Sequence, residues 1–466
     1  MSFMKSAMLG SAAAFAVVAG AQAADLPSKK AAPATYVKIC DAYGAGFFFI
    51  PGTDTCVKLG GRVRYDIGYA PKGDYITKDG AKDLTIQDTW GQHVRARVDV
   101  ESRTATGYGV VRTVAQLRLA QTTGVLNSNQ SPTAAPAAAD LSAYDKAGPT
   151  LERGYIQFMG FTAGRANSIF ANGPSLAFGA NSHFPSFANG SPQLAYTAVL
   201  GGGFSATIGI EDHQEHKQQN LTSSAPFHTP YDKMPVVIGN VGYDQAWGRI
   251  QVSGAIASNR TANDTATSVA VFDKTKQGYA YAGFLTYNAD MVGKGDKFYL
   301  LSGYSSGITS LGYKDASNAS SSNARDITGV TQSYKNFTCT NTTAAECQNT
   351  NTTWVSTAFV HNWTAQVRSN VMAGMAWVDP GSLARGTTGS QGSLSTQKAT
   401  FSSIGTNLIW SPTKDFDIGV EVLYNRQNLS GVAPSMLKGC LVAGATPSCS
   451  ANGSNVFTRI RLERTF

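Results

Sequence analysis

Residues 57–69 read VKLGGRVRYDIGY, and apolar and polar side chains alternate along this stretch. The same alternation returns in WGQHVRARVDVE (residues 90–101) and in VRTVAQLRL (residues 111–119). A period of two residues is typical of β-strands whose two faces meet different surroundings. In all three runs one face is rich in apolar side chains, whereas the other carries every arginine. The three runs therefore predict strands with one apolar face and one charged face.

The length of these runs separates two interpretations of the pattern. A soluble antiparallel sheet with one face on a core alternates in the same way, but soluble strands average about five or six residues. The three runs have 9 to 13 residues, and a tilted strand needs about 9 to 11 residues to cross a bilayer. We therefore expect the apolar faces to contact lipid and the arginine faces to line an aqueous lumen.

The amino terminus has the pattern of an export signal. Lys5 supplies a positive charge, residues 7–21 form a short apolar run, and Ala21-Gln22-Ala23 fits a cleavage site. We predict a signal peptide over residues 1–23, a periplasmic segment over residues 24–56 and a barrel over residues 57–466. The apolar run is too short to span a membrane as a helix, and no later stretch is long and apolar enough. A membrane form must then be a closed barrel, because lipid leaves an open strand edge without partners.

The six cysteines fall into three local pairs. Six thiols permit many connectivities, but an exported chain in an oxidising compartment favours bridges that close short loops. None of the spacings matches the CxxC pattern of zinc sites. The candidate disulfides join Cys40 to Cys56, Cys339 to Cys347, and Cys440 to Cys449.

Three segments carry a resemblance to a known family. CDAYGAGFFFIPGTDTC (residues 40–56), followed by VKLGGRVRYD, resembles the N-terminal signature of the alphaproteobacterial porin family, the outer-membrane porins of rhizobia and Brucella. GYIQFMGFTAGRANSIF (residues 154–170) is similar to the fourth and fifth strands of that family, and Phe466 matches its terminal aromatic residue. The resemblance implies a homotrimeric, sixteen-stranded diffusion channel in the cell outer membrane, in contact with lipid and lipopolysaccharide. It also implies that Phe466 is read by the barrel assembly machinery.

The sequence gives the same strand number independently, and we predict an all-β antiparallel transmembrane barrel. Besides the first three runs, the predicted strands cover residues 150–160, 161–170, 193–200, 204–212, 236–245, 249–260, 277–288, 296–306, 354–364, 366–379, 399–410, 416–427 and 455–466. The connections alternate between tight ones, such as residues 201–203, and long ones, such as residues 307–353. Short periplasmic turns and long external loops are typical of transmembrane barrels.

The polar face of the first three predicted strands is the candidate wall of a channel constriction. Its charged residues are Lys58, Arg62, Arg64, Arg95, Arg97, Arg112 and Arg118 against Asp66, Asp99 and Glu101. Guanidinium groups stay charged at any relevant pH. We therefore hypothesise a mild preference for anions, with the alternative that acidic residues on other strands cancel the arginines.

By resemblance to the family, residues 168–192 would fold into the lumen as a constriction loop. This stretch, SIFANGPSLAFGANSHFPSFANGSP, is rich in Gly, Pro and Asn, as compact packed loops are. It departs from many general porins because it contains no Asp or Glu. Its candidate pore residues are Asn172, Ser175, Asn181 and His183.

Three functions stay open at this point, and a passive channel is favoured. A channel needs no catalytic residue, cofactor or metal, and we identify none, since GxSxG, P-loop and Rossmann patterns are absent from suitable contexts. The alternatives are an outer-membrane barrel enzyme of the lipase or protease type and a secreted all-β adhesin. The net charge of +8 is spread without Lys/Arg clusters, which does not indicate a nucleic-acid partner.

Overall fold

A computed structural model describes residues 38–70, 89–126, 147–170, 173–174, 176–179, 190–212, 227–228, 234–263, 273–312, 337–339, 347–382, 398–430 and 452–466. The strands are β1 (Phe47–Phe49), β2 (Thr55–Tyr69), β3 (Trp90–Thr106), β4 (Gly109–Thr122), β5 (Ala147–Phe158), β6 (Phe161–Asn167), β7 (Gly190–Gly201), β8 (Phe204–Glu211), β9 (Phe227–His228), β10 (Val236–Gln245), β11 (Gly248–Asn263), β12 (Asp273–Asn288), β13 (Lys297–Ser306), β14 (Phe337–Cys339), β15 (Cys347–Asn349), β16 (Asn351–Asn362), β17 (Val367–Asp379), β18 (Lys398–Thr413), β19 (Phe416–Ser430) and β20 (Asn452–Thr465). The helical elements are single turns at Asp41–Tyr43, Gly124–Leu126 and α1 (Thr309–Gly312).

Sixteen of these strands form one closed antiparallel barrel. Each barrel strand pairs with the next along the chain, and β2 pairs with both β3 and β20, which closes the ring. The short strands β1 and β9 are added at the edges of β2 and β11, and β14 with β15 makes a separate ribbon. The predicted sixteen-stranded antiparallel barrel is therefore confirmed. Within the described ranges, helices long and apolar enough to cross a membrane are absent.

The two faces of each strand meet different surroundings. Leu59 and Val98, which face outward, are 59% and 52% exposed, whereas Asp66 on the inner face of β2 is 1% exposed. Exposed apolar residues recur at alternate positions around the barrel, including Ile208, Val252, Ile404 and Ile460. An apolar outer wall around a polar interior is what a lipid-embedded barrel requires.

The outer apolar band has the height of a membrane core. Trp377 on β17 lies directly opposite Thr400 on β18. Trp410 lies ten residues further along β18 than Thr400. Ten residues of a strand tilted by about 40° rise about 25 Å, which is the height between the aromatic girdles of transmembrane barrels. Trp377 and Trp410, which are both exposed, therefore mark the two edges of the band.

The two ends of the barrel differ in the length of their connections. Residues 107–108, 159–160, 202–203 and 414–415 join neighbouring strands at one end, which we call the turn end. The connections at the opposite end, the loop end, are longer, such as residues 307–350 between β13 and β16. In up-and-down outer-membrane barrels the turn end faces the periplasm and the loop end faces the exterior.

The structure shortens one predicted strand and confirms one predicted disulfide. The strand predicted over residues 161–170 ends at Asn167, because Ile169 and Phe170 leave the wall and are buried inside the barrel. The predicted disulfide between Cys40 and Cys56 is confirmed, and it joins the residue before the Asp41–Tyr43 turn to β2.

Of the other four cysteines, Cys339 and Cys347 lie in the described residues. Cys347 is disulfide-bonded, and Cys339 lies directly opposite it across the β14–β15 ribbon. Cys440 and Cys449 lie outside the described residues, as does the predicted signal peptide over residues 1–23.

Candidate functional site

The chain segment that follows β6 enters the barrel and begins by binding the inner wall at β8 and β10. The Ile169 N–H donates to Glu211 Oε1 at 2.6 Å, and Asn240 Nδ2 donates to the Ile169 carbonyl at 2.7 Å. Phe170 is fully buried, and its ring meets the ring of Phe284 on β12 edge to face, with centroids 6.4 Å apart. This end of the segment is therefore held by both backbone hydrogen bonds and apolar packing.

The other end of the segment is held on β18, β19 and β20. The Phe178 N–H donates to Glu421 Oε2 at 2.7 Å, and the Leu176 carbonyl accepts from Asn407 Nδ2 at 3.0 Å. Arg461 donates to the Phe178 carbonyl, and its guanidinium lies 4.6 Å from the centre of the Phe178 ring. The described parts of residues 169–179, hereafter the inner segment, therefore follow the inner wall from β8 to β20.

Apolar side chains fill the interior on the side where the inner segment begins. Phe170 joins Ile238, Ile308 and Leu311 in one buried cluster with Trp354. Trp354, on the inner face of β16, is completely buried. Because close-packed apolar groups exclude water, this side of the interior is closed to solvent.

The opposite side of the interior carries arginines in register on three neighbouring strands. Arg62, Arg97 and Arg118 lie side by side across β2, β3 and β4, and Arg64 lies beside Arg95 one step along. We call these five residues the arginine wall. The cross-strand spacing of directly opposed residues is about 5 Å, so the wall concentrates positive charge in a small area.

Carboxylates from other strands pair with part of the arginine wall. Arg64 Nε and Arg62 Nη1 lie 2.5 Å and 3.6 Å from the carboxylate oxygens of Glu463 on β20. Arg95 Nη2 lies 2.6 Å from Glu152 Oε1 on β5. The sequence analysis did not place these two acids, because the register of β5 and β20 cannot be read from the sequence.

Two aspartates on the strands that carry the arginine wall, Asp99 and Asp66, also form ion pairs with arginines. Arg97 Nη2 lies 2.7 Å from Asp99 Oδ2. The Asp66 carboxylate accepts hydrogen bonds from Nε and Nη2 of Arg461, at 2.6 Å and 2.9 Å. Arg459 Nη1 lies 3.8 Å from Asp66 Oδ2. Asp66, Arg459 and Arg461 are all buried, so this ion-pair network lies where the wall meets the inner segment.

Positive charge exceeds negative charge in this part of the interior. The guanidinium groups are those of the arginine wall together with Arg459 and Arg461, and the carboxylates are Asp66, Asp99, Glu152, Glu421 and Glu463. Among the described residues of this region, seven guanidinium groups therefore face five carboxylates, an excess of two positive charges.

The other candidates from the sequence lie apart from this centre. Arg112 is bound by Glu101, with Nε 2.7 Å from Oε1, and by Gln157 nearer the turn end. The candidate loop residues Asn172, Ser175, Asn181 and His183 lie outside the described residues. In the part of the chain that the structure describes, groups of acidic, His or Cys side chains that could hold a metal ion are absent.

The glutamates that hold the inner segment were not among the residues predicted from the sequence. Glu211 and Glu421 are 1% and 0% exposed, and each accepts a backbone N–H of that segment. Both glutamates occupy inward positions of strongly alternating strands, which is a signal that the sequence contains. Their partners could not be predicted from the sequence, because they are backbone N–H groups of the inner segment, which has no regular hydrophobic pattern.

A closed barrel of sixteen strands with an apolar exterior and a charged, partly filled interior defines the class of outer-membrane channels. A family model described as "Porin subfamily" matches residues 25–444. The chain therefore belongs to the porin subfamily and is an outer-membrane porin, a channel rather than an enzyme. The resemblance to alphaproteobacterial porins is confirmed.

Known relatives and solved structures agree with this assignment. Porin Omp2a of Brucella melitensis is 32% identical over 280 residues, which cover 57% of this chain and 69% of the relative. Porin Omp2b of Brucella abortus is 31% identical over 280 residues, covering 57% and 68%. The crystal structure of the outer membrane channel DcaP of Acinetobacter baumannii covers 90% of this chain and 99% of its own, at 14% identity and a TM-score of 0.60. The last likeness concerns the fold alone.

Proposed function

We propose that solutes cross this porin along the arginine wall, through a lumen that residues 168–192 narrow from the opposite side. Two observations support this path. The side of the interior near Phe170 and Trp354 is packed with buried apolar groups. The side chains of Arg62, Arg64, Arg95 and Arg97 keep 14% to 20% of their surface exposed, so water reaches that side.

We propose further that the channel prefers small hydrophilic anions. The excess of two positive charges beside the path carries this proposal. Fixed charge in a narrow, water-filled passage raises the local concentration of ions of the opposite sign. The acids Glu152 and Glu463 neutralise part of the wall, so the preference is expected to be mild.

Reversal potentials in planar bilayers with a KCl gradient test the anion preference. The wild-type channel is expected to give the sign of an anion-preferring pore. The double variant Arg62→Ala, Arg97→Ala removes two charges of one register row and is expected to bring the reversal potential close to zero. Arg464→Ala is the matched control, because Arg464 is exposed on the outer face of β20. A cation-preferring sign for the wild type would contradict the proposal.

Assembly and targeting are proposed from the family resemblance. We propose that the barrels associate as homotrimers, that residues 1–23 are a cleaved signal peptide, and that the assembly machinery reads Phe466. We propose contact with lipopolysaccharide on the same ground. A native mass spectrum of the protein purified from outer membranes tests two of these points together, since it reports both the oligomeric mass and the N-terminal residue.

A further inference from the structure

A groove of about 410 Å³ lies on the outer wall of the barrel, across β16 to β19. Two neighbouring rows of outward side chains line it. The row nearer the loop end is Val355, Met375, Ser402 and Arg426, and the row nearer the turn end is Thr357, Ala373, Ile404 and Tyr424. The groove forms because Ala373, Ser402 and Thr357 are small and lie between the larger side chains of Met375, Ile404 and Tyr424.

The groove begins at headgroup depth on the loop end of the barrel. Trp377, which marks the edge of the apolar band at the loop end, is paired with Thr400. The next outward-facing pair toward the turn end on β18 and β19 is Ser402 with Arg426. Tryptophan rings in such girdles lie at the level of the lipid headgroups. From Arg426 the groove therefore extends toward the middle of the membrane.

Arg426 places a positive charge on the lipid-facing wall at this depth. The residue is exposed, and its Nε donates to Asn428 Oδ1 at 3.2 Å. A guanidinium group carries several further N–H donors in a planar fork that matches phosphate oxygens. A charge that faces lipid is costly unless it reaches the headgroup region or meets an opposite charge.

The charges of the outer wall favour a lipid over a second copy of the chain as the partner of Arg426. Among the outward-facing strand positions that the structure describes, the acidic residues are Asp273 and Asp379, at the loop ends of β12 and β17. Asp379 pairs with Lys398 at 2.7 Å. A second barrel that presents its described outer wall therefore offers no carboxylate at the depth of Arg426. A lipid phosphate lies at this depth, and its acyl chain extends in the same direction as the groove.

We propose that this groove is a binding site for one phosphate-bearing lipid of the outer leaflet. Its phosphate contacts Arg426, and one acyl chain lies over Ala373 between Ile404 and Met375. The site is independent of the path that solutes take through the interior. If the groove proved not to bind a lipid, the proposed anion preference would be unaffected, because Arg426 faces away from the lumen.

Native mass spectrometry of the detergent-solubilised protein, titrated with phosphatidylglycerol, tests the site. Arg426→Gln is expected to weaken phosphatidylglycerol binding by about tenfold, because hydrogen bonds between two charged groups are lost. Ala373→Leu fills the groove, keeps the lipid face apolar, and is expected to weaken binding to a similar degree. The double variant is expected to bind phosphatidylglycerol with the same affinity as the weaker-binding single variant, because both substitutions act on one site.

Arg464→Gln is the matched control, because Arg464 is also an exposed outward arginine but lies at the turn end, where it donates to the Lys414 carbonyl at 2.6 Å. It is expected to leave the binding of the groove lipid unchanged. Equal affinity in the wild type and Arg426→Gln overturns the proposal, and so does an equal loss in Arg426→Gln and Arg464→Gln without a loss in Ala373→Leu. A lower oligomeric mass in Ala373→Leu with unchanged lipid binding would instead assign the groove to a contact between copies.

Discussion

Asp66→Asn is expected to lower the free energy of unfolding by about 3 to 5 kcal/mol, the usual cost of removing one partner of a buried ion pair. Asp66 is 1% exposed and accepts two hydrogen bonds from Arg461, with Arg459 close by. Asparagine keeps the shape of the side chain but removes the negative charge that Arg461 and Arg459 face at this position. Equilibrium unfolding in urea, on protein folded into phospholipid vesicles, measures the change.

Asp99→Asn is the matched control for this loss. Asp99 also pairs with an arginine of the interior, at 2.7 Å from Arg97, but its side chain keeps 28% of its surface exposed. Solvent screens such a pair, so its loss is expected to cost about 1 kcal/mol or less. If both substitutions cost the same small amount, burial does not decide the strength of the Asp66 network, and the expectation fails.

Glu421→Leu is expected to release the inner segment from β19 and to raise the single-channel conductance. Leucine cannot accept the hydrogen bonds that Glu421 Oε2 receives from the Phe178 N–H at 2.7 Å and from Asn407 Nδ2 at 3.3 Å. An unpaired buried N–H costs about 1 to 3 kcal/mol, and loss of the buried charge beside Arg459 adds to it. In the proposed path, loss of this hydrogen bond loosens the segment that narrows the lumen beside the arginine wall, so the lumen is expected to widen.

Glu101→Leu separates this effect from the loss of a negative charge. Glu101 is also an inward carboxylate, and its described partners are Arg103 and Arg112 rather than the inner segment. Both variants change the interior charge equally, so a rise in conductance confined to Glu421→Leu identifies release of the segment. Equal conductance in the two variants would contradict it.

Gly179→Ala offers a second way to displace the inner segment. A methyl group at Gly179 would collide with the guanidinium of Arg459. Added volume at a packed site typically costs about 1 to 3 kcal/mol. Gly107→Ala, at a turn position where an added methyl group meets no neighbour, is the control, and it should leave both conductance and stability unchanged.

Most of the fold could be predicted from the sequence, but few of the ion pairs between strands could. Strand number and the assignment of inner and outer faces follow from a period of two residues and from run length, and both are local properties. The ion pairs of Arg64 with Glu463 and of Arg95 with Glu152 depend on how far one strand is shifted against another. A shift of one residue moves every side chain to the opposite face, and the long loops between strands hide that shift.

The inner segment illustrates a second limit. Its composition indicated a compact loop, but composition does not say which backbone groups meet Glu211 and Glu421. The early end of β6 has the same origin, because Ile169 and Phe170 fit the alternation of a strand equally well. Their burial inside the barrel against β8, β10 and β12 is a tertiary contact that overrides the local pattern.

The pairing of β2 with β20 closes the barrel between two strands that lie far apart in the chain. Arg62 lies opposite Thr465, and Gly61 exchanges two backbone hydrogen bonds with Phe466, at 2.9 Å and 3.0 Å. Contacts between such distant parts of a chain form late, and until then β2 and β19 each expose an edge that lipid cannot satisfy. Without β20 the wall would stay open between β19 and β2, so the same few hydrogen bonds that join Gly61 to Phe466 decide whether the barrel can rest stably in a bilayer.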